Sequence, residues 1–155
     1  MTPIKRHSAL QPLSHDHHQA LLVSWKIRMG LRKAIEPQRI KKFCDFFYKS
    51  HLAGHFKLEE EYIFPILGAG HELITTALAD HYTLSQLFTQ KQADVNTLTR
   101  IEKELEEHIR FEERILFDEI QKIATEEQLN LAAAVRPGGK EDIERIESWK
   151  DEFWL

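Results

Sequence analysis

The sequence lacks most of what announces a function. Cys44 is its only cysteine, so no disulfide can form within the chain, and a lone thiol fits a reducing cytoplasm. Glycine and proline are few, at six and five, and the period-two alternation of strands is hard to find. No run of about 18 apolar residues is present, so no membrane span is expected. The opening MTPIKRHSALQPLSHDHHQ lacks the apolar stretch of a secretory signal. Charge of one sign is nowhere massed. The net is -4 with both signs interspersed, which suggests neither a nucleic-acid partner nor an anionic membrane surface. No Ser-His-Asp or Cys-His arrangement is legible, and no glycine-rich phosphate loop appears.

What is present is a chain of 155 residues, 42% hydrophobic and 30% charged, ordinary values for one compact soluble domain. Its apolar residues recur at helical spacing. A first helix is expected over about 15–33, capped by Ser14, with His18, Leu21, Leu22, Trp25 and Met29 on one face. Pro37 suits the first turn of a second helix, which carries Phe43, Phe47, His51, His55 and Glu59. Pro65 and the Gly68-Ala69-Gly70 stretch end it. A third helix over about 72–91 presents Ile74, Leu78, His81, Leu84 and Phe88. A fourth over about 95–122 presents Ile101, Leu105, His108, Glu112, Ile115 and Ile120.

Short connections make successive helices antiparallel. The expected fold class is therefore all-α, an up-down-up-down four-helix bundle with its core at about 14–122. A C-terminal extension over about 125–155 adds one or two short helices within the same domain. Thr125 and Gln128 form a capping box there, and Pro137-Gly138-Gly139 breaks the first piece. Ile143, Ile146, Trp149 and Phe153 make an apolar stripe on the second, expected to pack on the bundle. A homodimer contact through these aromatics is the competing use.

The count that departs from the ordinary is histidine, at nine. One segment recurs: His55-Phe-Lys-Leu-Glu59-Glu60-Glu61-Tyr-Ile-Phe64 aligns with His108-Ile-Arg-Phe-Glu112-Glu113-Arg114-Ile-Leu-Phe117. The shared skeleton is a histidine, two glutamates at +4 and +5, and a phenylalanine at +9. Residues four apart share a helix face, so a nitrogen from one turn and a carboxylate from the next can grip one metal. A lone histidine on an apolar face is more often a hydrogen-bonded core residue. Two copies, with inward histidines on the other two helices, favour a metal, because unpartnered buried carboxylates are costly. Counting about 1.5 Å per residue from the helix ends puts His18, the His55–Glu59 pair, His81 and the His108–Glu112 pair at one height. His71 lies about 15 Å from that level. His51 sits a turn from His55 on the wrong side, so it and His71 are expected to cap, hydrogen-bond or face solvent. His18 is preferred to His17 because it shares the face of Leu21, Leu22 and Trp25, and His15 or Asp16 could orient an imidazole.

Over about residues 10–122 the chain resembles the hemerythrin-like, or HHE cation-binding, family. The resemblance rests on Asp16-His17-His18, on His55-x3-Glu59-Glu60 followed by Ile63-Phe64-Pro65, on His81, and on His108-x3-Glu112-Glu113 with Leu116-Phe117. It implies two non-haem iron ions joined by an oxo or hydroxo bridge. His18, His55, His81 and His108 would be terminal ligands, and Glu59 and Glu112 bridging ones. Two departures stand out. The family's oxygen carriers have two histidines four apart on the third helix, where this chain has Ala77 and Ser85 around His81. Their last carboxylate is an aspartate at +5 from the fourth-helix histidine, and here Glu112 and Glu113 both compete for that role. One fewer histidine leaves a further position for oxygen, nitric oxide or peroxide, which favours sensing, storage or protection over transport. The rivals are an enzyme that breaks down peroxide or donates iron for iron–sulfur repair, and a metal-free helical interaction module. The ferritin-like order Glu-x-x-His is absent, and six ligands exceed a four-coordinate zinc site.

Overall fold

The computed structural model describes residues 5–136 and 140–155, and it contains helices and no strand among them. A 3₁₀ turn, Ser8–Leu10, leads into α1, Gln11–Arg32. The long helix α2 spans 37–66 and is built in segments: an α segment Pro37–Phe47, a π turn Tyr48–Leu52, an α segment Ala53–Leu58, a π turn Glu59–Ile63 and a 3₁₀ end Phe64–Ile66. Helix α3 is Glu72–Phe88. Helix α4 spans 95–123, with a π turn Glu112–Leu116 between Val95–Phe111 and Phe117–Ile123. Two short helices follow, α5 at Glu126–Val135 and α6 at Lys140–Glu147. The first four form the expected bundle, with α1 packed along α4 and α3 against it on another side. Gly68, at φ 94, makes the turn out of α2, a conformation glycine adopts without a Cβ penalty. No described helix is long and apolar enough to cross a membrane.

Helix α1 corrects two expectations. It starts before Ser14, at Gln11, because Pro12 sits in the first turn and His7 caps the preceding 3₁₀ turn by accepting from the Ala9 N–H. Its buried face is also rotated from the one expected. Leu13, Asp16, His17, Ala20, Val23, Ser24 and Ile27 are buried, whereas His18 and Trp25 are exposed. The small Ala20 and Ser24 face the neighbouring helix, and the bulkier Leu21, Leu22 and Met29 lie half-buried at the margin. Helix α3 ends at Phe88 and buries Ala77 in preference to Leu78, which is exposed.

The π turns shift the pattern in the other two helices. Each adds a residue to a turn, so the Phe64 N–H donates to the Glu59 carbonyl and the Phe117 N–H to the Glu112 carbonyl. After Glu112 the inward face therefore falls on Leu116, Phe117 and Ile120, while Ile115 is exposed.

Buried apolar side chains form two clusters. One holds Ile27, Phe43, Phe47, Leu84, Phe88, Leu98, Ile101 and Leu105. The other holds Leu13, Ile63, Phe64, Ile74, Ala77, Leu116, Phe117 and Ile120. Every bundle helix passes from one to the other, and between them each contributes buried polar residues: His17, His55 with Glu59, His81, and His108 with Glu112. The extension packs on the bundle as expected. Leu129 and Ala132 of α5 join the second cluster, and Ile146, Phe153 and Trp154 join the first, with Trp149 half-buried against it. Phe153 lies where a Cβ on Gly30 would approach within 2.8 Å, so only glycine fits there without movement. The Thr125–Gln128 capping box is present. Pro137-Gly138-Gly139, expected as a break, lies outside the described residues.

The π turn in α4 makes a paired outcome testable. Leu116→Ala should cost about 3 kcal/mol of unfolding free energy as a large-to-small core change. Ile115→Ala should stay within about 0.5 kcal/mol. Denaturant titration of both variants checks it, and the reverse ranking would mean that α4 runs as an unbroken α-helix.

Candidate metal centre

The polar layer is organised around two glutamates. Each of the repeated segments sends its first glutamate fully inward, and Glu59 and Glu112 are completely buried. Four imidazoles face them through Nε2. His17 Nε2 lies 2.9 Å from Glu112 Oε2 and 3.3 Å from Glu59 Oε2. His55 Nε2 lies 3.2 Å from Glu59 Oε2. On the other side, His81 Nε2 is 3.2 Å from Glu59 Oε1 and 3.4 Å from Glu112 Oε1, and His108 Nε2 is 2.8 Å from Glu112 Oε1. Each glutamate thus turns one oxygen towards the His17–His55 pair and the other towards the His81–His108 pair.

Each imidazole is held from behind by a carboxylate at Nδ1. His17 donates to Glu113 at 2.7 Å, His55 to Asp16 at 3.2 Å, His81 to Glu60 at 2.8 Å and His108 to Asp80 at 2.9 Å. A carboxylate can only accept, so Nδ1 carries a proton and Nε2 is the nitrogen aimed at the centre, where its lone pair can take a cation once any second proton has left. That is the tautomer a metal-ligating histidine needs, with its orientation fixed by the outer partner.

The pattern is two-fold. Helices α1 and α3 each supply an Asp-His pair, Asp16-His17 and Asp80-His81. Helices α2 and α4 each supply His-x3-Glu-Glu. The aspartate holds the histidine of the following helix. The second glutamate of α2 holds His81 on α3, and that of α4 holds His17 on α1.

Five of the six site residues expected from the sequence, His55, Glu59, His81, His108 and Glu112, meet in this layer. His18 does not; it is exposed, and His17 takes the place on α1 because the buried face is rotated. Between Glu112 and Glu113 the geometry is also distinct, since Glu112 points inward and Glu113 supports His17. Asp80, Glu60 and Glu113 are partners of the imidazoles that helical spacing alone does not mark. The signal that finds them is the second copy of the Asp-His pair and the second glutamate of each repeat. His71 caps α3 by accepting from the Leu73 N–H. His51 is buried against Asp142 at 3.2 Å.

Two groups of side chains could each hold a cation: His17, His55, Glu59 and Glu112, and Glu59, His81, His108 and Glu112. Within each group the ligand atoms lie within 4.8 Å of one another. The donor set fits. Glu59 Oε1, both oxygens of Glu112, and Nε2 of His81 and His108 are buried without a hydrogen-bond partner, a costly arrangement that a cation relieves. The surround is apolar, with Phe56 stacked on His81 at 3.8 Å between ring centres and Phe117 against His17 at 5.1 Å. Cys44 takes no part, since burial pushes its thiol up to about 12.

Charge couples the imidazoles of the layer to its carboxylates. Burial alone would push the imidazoles down, but Glu112, Glu113 and Glu59 hold His17 well above its ordinary value, and Glu112, Glu59 and Glu60 do the same for His81. Burial likewise opposes protonation of His55, which Glu59 and Asp16 nonetheless raise to about 9. Burial would raise Glu112, yet His108 and its neighbours hold it well below the carboxylate range. Protons on the imidazoles stand in for cations.

Among known families, residues 9–120 match the model described as the hemerythrin HHE cation binding domain. No curated protein and no solved structure matches the chain.

A histidine raised on folding stabilises the fold fully below its unfolded value and loses that contribution as pH rises through the folded one. Chelator-stripped protein should therefore show a falling Tm between pH 6.5 and about 9, the span set by His55. Added metal should remove that slope and release protons at neutral pH. Thermal melts across pH, with and without metal, check this; a flat profile in stripped protein would contradict the protonated cluster.

Proposed function

The chain belongs to the hemerythrin HHE cation-binding family, and on that premise we propose that it binds two iron ions in this layer and engages oxygen, nitric oxide or peroxide there. The observation that carries the reading is the pair of glutamates, each with one oxygen towards either histidine pair, since bridging carboxylates are what two adjacent ions require. His17 and His55 would hold one ion and His81 and His108 the other, with Glu59 and Glu112 shared. Iron is favoured over zinc because imidazole and carboxylate donors that leave coordination positions free suit a redox-active six-coordinate ion. Iron in such a setting supplies reversible electron exchange with a small bound oxidant.

The protein's own share of the chemistry is positional. Glu113, Asp16, Glu60 and Asp80 keep the four Nδ1 protons in place and the rings fixed. Phe56 and Phe64 pack on the ring of His81 and Phe117 on that of His17, which gives the layer low-dielectric walls. Ala77 and Ser85, one turn to either side of His81, offer no imidazole where the family's oxygen carriers have a second histidine. Fewer protein donors leave more room for an exogenous ligand, which supports sensing, storage or protection over oxygen carriage.

Protein isolated from iron-replete cells should contain about two irons per chain and show near-ultraviolet charge-transfer absorption that shifts with nitric oxide or peroxide. His17→Ala should weaken metal binding by about 10-fold or more, while His18→Ala should leave it intact. Elemental analysis with absorption spectroscopy decides. Absence of metal in protein never exposed to chelator, or equal losses in the two variants, would overturn the reading.

A further inference from the structure

The centre is two-fold in its inner residues, and the two-foldness stops one layer out. On the His17–His55 side both supporting carboxylates are gripped by guanidinium groups. Asp16 is 4% exposed and paired with Arg136 through two contacts, one of them Nε to Oδ2 at 3.0 Å. Glu113 is 27% exposed and paired with Arg6 at 3.3 Å. On the His81–His108 side the supporting carboxylates are Glu60, 43% exposed, and Asp80, 39% exposed, and among the described residues neither has a cationic partner besides its histidine.

The cavities differ in the same sense. Beside His55 a cavity of about 140 Å³ is walled by Asp16, Lys49, His51, Arg136 and Asp142, so that Lys49 and Arg136 balance the two aspartates. Its walls are tied together by the extension, through Arg136 on Asp16 and Asp142 on His51. Beside His108 a cavity of about 260 Å³ is lined by Thr76, Asp80, Thr83, Glu104 and Glu107, with no cationic side chain on its wall. Arg100 takes one oxygen of Glu104 from outside at 3.2 Å, and the other oxygen, Oε2, is buried without a hydrogen-bond partner. The inner end of this groove is the Asp80–His108 pair, so an ion in it lies one ring away from the centre.

Building on the two-ion reading above, the geometry points to unequal metal positions: the one held by His81 and His108 is the exchangeable position, filled and emptied through the acidic groove. The position held by His17 and His55 is locked by Arg6 and Arg136. A carboxylate-lined groove with low-dielectric walls raises the local concentration of divalent cations and their rate of arrival. A free carboxylate behind an imidazole can swing and let the ring turn. A carboxylate pinned by a guanidinium cannot do so without breaking that ion pair, which for Asp16 and Arg136 is largely buried.

The experiment follows loading of metal-free full-length protein with ferrous ion under anaerobic conditions, and its removal by a coloured chelator, in a stopped-flow instrument. Two ions should leave in two phases of equal amplitude, with rates differing by about 10-fold or more. His108→Ala should abolish the fast phase and His17→Ala the slow one. The double change Glu104→Gln and Glu107→Gln should slow loading of one ion by about 10-fold and leave the final stoichiometry and the helical circular dichroism unchanged. Arg136→Ala should speed the slow phase alone. Release of two ions in a single phase, the opposite assignment of phases, or a groove variant that loads at the original rate would overturn the inference while leaving the two-ion reading standing. Fewer than two ions at saturation would overturn both.

Discussion

The structure is governed by one electrostatic demand. Two carboxylates and four imidazoles occupy a layer with apolar clusters on either side, where an unpaired charge costs several kcal/mol. The carboxylates can stay ionised there only beside positive charge, carried either by protonated imidazoles or by metal cations. The rest of the bundle can be read as meeting that demand. Four helices bring donors to one depth, outer carboxylates fix the proton on the far nitrogen of every ring, and phenylalanines give the layer low-dielectric walls. None of this improves packing relative to an apolar core, so the layer makes physical sense as a binding site.

The π turns serve the same end. Glu59 and Glu112 each open one, and the chain gains a residue per turn just beyond the inward carboxylate. In an unbroken α-helix the residue after an inward glutamate points about 100° away. Glu60 and Glu113 use that direction to reach the imidazoles of neighbouring helices. The wider turn then returns Phe64 and Phe117 to the core. The repeated His-x3-Glu-Glu-x3-Phe skeleton is thus a local backbone device as well as a donor set.

Much of this was legible in the sequence, and the failures have physical causes. Short connections and helical stripes mark the bundle, the repeat marks His55, Glu59, His108 and Glu112, and the stripe of the third helix adds His81, five of the six residues that meet in the layer. In helix α1 the small residues, not the large apolar ones, mark the buried face. Leu21, Leu22 and Trp25 marked the stripe that chose His18, whereas close packing against α4 selects Ala20, Ser24 and His17. The Asp-His pair at 80–81, matched at 16–17, carried the correct phase without any appeal to hydrophobicity. Ile115 was misplaced because a π turn leaves no mark in residue spacing until the inward positions on both sides are known. Arg6 and Arg136 could not be linked to Glu113 and Asp16 from spacing, since the contacts join segments more than 100 residues apart.

Those distant contacts decide how a duplicated site becomes two different ones. The inner residues come from the repeat and are equivalent in kind: Asp-His on two helices, His-x3-Glu-Glu on the other two. The groups that pin the outer partners on one side are contributed by chain outside the four helices, Arg6 before α1 and Arg136 and Asp142 after α4. Because Arg136 touches Asp16 and Asp142 touches His51, the extension that fills the core with Phe153 and Trp154 also stiffens one half of the centre. Changes in the tail therefore act on the His17–His55 side first, through ion pairs, with no alteration to any residue that faces the glutamates.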